Sequence, residues 1–128
     1  MSPDLRLLTC AVVLTFAQML VAAVGAALQV GLMPLIGNRE NLPTLTGWAG
    51  RAQRAHRNML ENLILFAALV LVAAASGKAN GATLLGAQLF LWARLAYAVI
   101  YLVGIPWLRT AAWGVSVVGL IVIFLQLV

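Results

Sequence analysis

Acid is what this chain has least of. Three Asp and Glu residues stand against eight Lys and Arg, and charged residues of both signs make up only 9% of the 128. Cysteine and histidine occur once each. The single thiol, Cys10, excludes an intrachain disulfide and a cysteine metal site, and reads as small apolar filling in the first apolar run. One histidine and three acids leave little from which to build a metal centre, so no metal is expected. There is no serine–histidine–acid set, no pair of carboxylates and no glycine-rich phosphate loop.

What is present in quantity is hydrocarbon. With 64% hydrophobic residues and a mean hydropathy of +1.05, the chain does not read as a soluble domain. A membrane-spanning helix needs about 20 mostly apolar residues. The chain has room for four, expected at about residues 7–36, 58–75, 82–105 and 109–128 of a single domain. The fold class is therefore an all-α integral membrane protein, a four-transmembrane-helix bundle. Residues 1–6 are too short and too weakly basic for a signal n-region, so the first span is expected to be retained. That span is charge-free, interrupted by Gln18 and Gln29, with small residues at Ala22, Ala23, Gly25, Ala26 and Ala27 that suit close helix packing. Pro34 and Gly37 close it. Residues 38–50, with Pro43 and Gly47, read as a loop, and Trp48 fits an interfacial anchor.

The net charge of +5 fits the positive-inside rule better than a nucleic-acid groove, because the cations are scattered among apolar spans. The first and third loops hold Arg39, Arg51, Arg54, Arg57 and Arg109, and the opposite side holds Arg6 and Lys78. This asymmetry places the first and third loops on the cytoplasmic side and both termini outside. Inner-membrane location is the expectation.

Polar residues concentrate in residues 50–63. As a helix, Arg54, Asn58, Glu61 and Leu65 share one face, with Arg51 a turn earlier and Arg57 nearby. In the third span, Arg94, Tyr97 and Tyr101 also share a face. Arg94 lies about 16 Å inside the break at Pro106, at 1.5 Å per residue. A charge at that depth needs a carboxylate or a wet cavity, and Glu61 is the only acid within a plausible span. A polar pocket between the second and third helices, open to the cytoplasm, is therefore expected. Its many donors and single acceptor charge suit a small anionic ligand that also carries an ammonium. An arginine there can hold a thiolate by charge-assisted hydrogen bonding. Blander readings stand beside these. Arg51 and Arg57 fit headgroup contacts, Glu61 with Arg94 fits a structural pair, Tyr97 and Tyr101 fit packing, His56 fits an interfacial hydrogen-bonder, and Arg39 fits a topology charge.

The segment RAHRNMLEN, residues 54–62, resembles the second-helix motif of the MAPEG family, the membrane-associated proteins in eicosanoid and glutathione metabolism. Arg94, Tyr97, Tyr101 and Arg109, the four-span layout and the length extend the resemblance over nearly the whole chain, which looks like a bacterial-type, microsomal glutathione transferase-like member. The resemblance implies a homotrimer with glutathione sites between neighbours. It assigns glutathione contacts to Arg54, Asn58, Glu61, Arg94, Tyr97 and Tyr101, with Arg51 and His56 lining the same site. Glu61 would meet the ammonium and the arginines the carboxylates, and Arg109 would stabilise the thiolate as the catalytic residue. The implied activity is conjugation of lipophilic electrophiles or reduction of lipid hydroperoxides drawn from the bilayer. Asn62 after Glu61 is similar to the microsomal transferases, whereas RAHRN is similar to prostaglandin-making members, so no specialised subfamily is implied. Two rivals remain at this point. One is a catalytically silent member acting as a binding or scaffold protein. The other is a small multidrug transporter, disfavoured by the absence of an acid within the first span.

Overall fold

A computed structural model describes residues 1–128. Helix α1 (Pro3–Val30) begins at Ser2, whose hydroxyl accepts from the Leu5 amide, and has proline in its first turn. It does not run on to residue 36. Gly31, at φ 88°, interrupts it, and a short α2 (Leu32–Ile36) follows. Pro34 accounts for the break, because in a continuous helix its ring would meet the carbonyl of Val30. Glycine at position 31 supplies the positive φ that the turn requires.

Helix α3 (Gly47–Ala75) starts well before residue 58, so Arg51, Arg54 and Arg57 lie on the same rod as the apolar span. Its start is clasped to the end of α1. The Gln29 amide donates to the Thr46 carbonyl at 2.7 Å and accepts from the Thr46 amide at 3.0 Å. Helix α4 (Gly81–Val103) begins in a capping box between Asn80 and Thr83 and ends at Gly104, φ 94°. Helix α5 (Pro106–Leu127) starts directly on its proline.

The four long helices run alternately up and down. Both termini and the α3–α4 turn share one end, where the Thr83 hydroxyl donates to the Asp4 carboxylate at 2.8 Å. At the same end Lys78 donates to the Leu127 carbonyl and Asn80 to the Gln126 side chain. The polar first loop and the α4–α5 turn share the other end. Helices α3 and α4 occupy the centre, each touching all the other long helices, whereas α1 and α5 do not touch. Each long helix is apolar and long enough to cross a membrane, and many large apolar side chains face outward. The molecule is an integral membrane protein.

Surrounded by lipid, such helices gain little from hiding apolar area, and close van der Waals fit holds them together instead. Phe66 of α3 and Phe90 of α4 stack with centroids 4.1 Å apart at the core. The tightest crossing is that of α4 and α5. A Cβ at Gly119 would sit 2.5 Å from the Gly86 carbonyl oxygen and 2.9 Å from the Phe90 nitrogen. Gly119→Ala is therefore expected to destabilise the protein by about 1–3 kcal/mol through overpacking. Gly114→Ala, with open space around it, should leave the thermal midpoint in detergent near the native value. Equal midpoints for both variants would show that the crossing is not close-packed.

Candidate functional site

At the loop end, three helices bring polar side chains to one place. The 3.6-residue period sets Asn58 a turn below Arg54 on α3, and Tyr101 a turn above Tyr97 on α4. Helix α5 adds Arg109 from its first turn. Arg54 Nε donates to the Tyr101 hydroxyl at 3.1 Å. The Arg109 guanidinium carbon lies 4.4 Å from the centroid of the Tyr101 ring, and that of Arg94 lies 4.2 Å from the Tyr97 ring. The two rings meet edge to face at 5.5 Å. Three cations thus converge on two tyrosines.

Arg94 is the extreme member. It is 1% exposed, and none of its three guanidinium nitrogens has a hydrogen-bond partner. A cation on an aromatic face gains about 0.5–2 kcal/mol. Removing an ion from water costs several kcal/mol even after relaxation, so the ring alone does not offset the burial. The expected carboxylate is not joined to it, because Glu61 lies on an exposed part of α3. Glu61 and Arg94 therefore do not form an intramembrane pair within this single chain.

Asn58, Tyr97 and Arg109 line one cleft of about 130 Å³, together with Thr110 and Trp113. The expected pocket between the second and third spans therefore has a third wall, supplied by α5. Thr110 and Trp113 were not anticipated from the sequence. Trp113 had a signal in its place four residues after Arg109, one turn along the helix, and Thr110 in its place three residues before Trp113. Asn62 Nδ2 donates to the Asn58 carbonyl at 2.8 Å and to its side-chain oxygen at 3.3 Å, which orients the Asn58 amide.

Two candidates stand apart from the cleft. Arg51 Nε donates to the Leu102 carbonyl at 3.0 Å, satisfying one of the acceptors left free at the end of α4. His56 is about 200° around the helix from Arg54 at 100° per residue. It lines a separate cavity with Arg39 and Gln53, against α1 and α2.

The model of the MAPEG family matches residues 7–128. The chain belongs to the MAPEG family. No curated protein and no solved structure matches it. In this MAPEG protein the cleft offers amide, hydroxyl and guanidinium groups, and no carboxylate lines it. Such a donor set can receive negative charge.

The tyrosines serve as bearing surfaces for the cations, and their parts can be separated. Tyr101→Phe keeps the ring under Arg109 and removes the acceptor of Arg54, so a stability loss of about 1 kcal/mol is expected. Tyr101→Leu removes both and should cost more. Indistinguishable midpoints for the two variants would show that the ring contact with Arg109 carries no weight.

Proposed function

We propose that this protein is a glutathione-dependent membrane enzyme that activates the glutathione thiol as a thiolate. The product would be a conjugate of a lipophilic electrophile or a reduced lipid hydroperoxide. The observation that carries this reading is the convergence of Arg54, Arg94 and Arg109 on Tyr97 and Tyr101 with no carboxylate bonded among them. Membership of the MAPEG family supports the class of ligand.

Glutathione carries two carboxylates, one ammonium and a thiol. The donor set fits it: arginines take the carboxylates, Asn58 adds an amide, and Glu61 supplies the one acceptor charge for the ammonium. Arg109, on the cleft wall, is the catalytic residue in this proposal. A free thiol ionises near pH 8.5, and an adjacent arginine lowers that value by stabilising the anion. The thiolate then attacks an electrophilic carbon of a substrate entering from the bilayer, displacing its leaving group or adding to an activated double bond. With a hydroperoxide it attacks a peroxide oxygen instead, breaking the O–O bond to leave the alcohol and a glutathione sulfenic acid. A second glutathione converts that acid to the disulfide and water. Exposed Glu61 fits a site that closes only between copies of the chain, as a homotrimer would provide. In that assembly Arg51 and His56 would line the same site. The excess of arginine at the loop end supports a cytoplasmic position for this end, with the protein in the inner membrane, where glutathione is at hand.

Calorimetric titration of glutathione into the detergent-purified protein tests the reading. Saturable binding that Glu61→Gln weakens about tenfold, the worth of one charge-assisted bond, is expected. Unchanged affinity in that variant would remove Glu61 from the site, and no binding by the folded native protein would overturn the proposal. For Arg109→Ala, kcat should fall more than affinity. An equal loss of both would make Arg109 a binding residue only.

A further inference from the structure

The polarity of the cleft turns on one amide. Asn58 lines it beside Tyr97 and Arg109, and a carboxamide can present either its oxygen or its nitrogen there. Shape does not decide between the two ends, which are nearly alike, so hydrogen bonding must. An oxygen turned inward would accept from the cations around the cleft and compete with any anion for them. A nitrogen turned inward adds one more donor to the set.

Asn62, one turn further along α3, determines the direction. Its side chain meets the Asn58 main-chain carbonyl at 2.8 Å. A carbonyl only accepts, so the group that meets it is the Asn62 Nδ2. The same nitrogen lies 3.3 Å from the Asn58 side-chain oxygen. That contact is long for a hydrogen bond, but the opposite orientation of Asn58 would set N–H against N–H, so even a weak bond discriminates. The Asn58 oxygen is thereby held along the helix, and its nitrogen is left for the cleft.

We infer that Asn62 is a positioning residue, which fixes Asn58 as a hydrogen-bond donor and so keeps the cleft selective for an anion. The role rests on the glutathione reading, since glutathione supplies the anion, and it extends that reading to a side chain outside the cleft lining. Asn62 acts only through Asn58, passing the polarity of a main-chain carbonyl across two amides. Asn62→Thr reverses this relay. Its hydroxyl would donate to the carbonyl four residues back, as those of Thr9, Thr15 and Ser76 do elsewhere in the chain. Only lone pairs would then remain for Asn58, which would turn its nitrogen to position 62 and its oxygen to the cleft.

The test is calorimetric titration of glutathione into the detergent-purified native protein, Asn62→Thr and Asn62→Leu, and into each with Asn58→Ala added. Asn62→Thr should weaken binding about tenfold, the worth of one hydrogen bond to a charged group. Asn62→Leu, which leaves the Asn58 amide free to turn either way, should weaken it by less. With Asn58→Ala present, neither change at position 62 should alter affinity further, a coupling that a merely structural role would not give. Equal affinities of the native protein and Asn62→Thr would overturn this inference and leave the glutathione reading standing. A loss that persists undiminished beside Asn58→Ala would do the same. No binding by the folded native protein would overturn both.

Discussion

The constraint on which this structure depends is a guanidinium buried without an anion. Arg94 sits at the centre of the bundle, against the ring of Tyr97, with every nitrogen unpartnered. A chain selected for stability alone would place a hydrocarbon there, because apolar packing replaces buried charge at no loss and often at a gain. The surrounding arrangement follows from keeping that cation. Tyr97 spreads its charge over an aromatic face, Tyr101 braces Tyr97 edge-on, and Arg54 and Arg109 hold Tyr101 from two further helices. The positive field of three arginines is thus assembled beside the cleft.

The two ends of the bundle divide the labour. At the terminal end, Asp4, Thr83, Asn80 and Gln126 pair with one another and lock the helix starts. At the loop end, neutral clasps such as Gln29 with Thr46 fix the backbone, while the cations keep free valences. Close glycine crossings, Gly86 on Gly119 and Gly25 on Ala49, make the frame stiff enough to hold the cations in place. Strength at one end permits unsatisfied polarity at the other.

Much of this was legible in the sequence, because helical period is visible wherever polar residues stand in an apolar background. The four spans, the shared face of Arg54 and Asn58, and that of Tyr97 and Tyr101 all follow from spacing. Features that depend on backbone geometry or on a distant partner were not legible. The break at Gly31 hides in an apolar run, since Pro34 acts four residues back. Helix α3 extends to Gly47 because charge marks the membrane boundary without ending a helix. Arg51 binds the Leu102 carbonyl, a partner that no side-chain pattern announces. Asp4 carries no sequence signal of its partner, yet it is 5% exposed and bonded to Thr83, 79 residues away. His56 lies in the same motif as Arg54 but on another face, so proximity in sequence was a poor guide to its surroundings.

The most direct test of the central claim is the thermal midpoint of the native protein and of Arg94→Met, each with and without saturating glutathione. The variant keeps the length of the side chain and removes the charge. Without ligand it should melt higher than the native protein, because an unpartnered ion has been replaced by hydrocarbon. Glutathione at about 100 times its Kd should stabilise the native protein by about 2.7 kcal/mol and the variant much less. A native protein that glutathione leaves unmoved, or a variant that keeps the full increase, would contradict the claim that Arg94 is held buried for an anion.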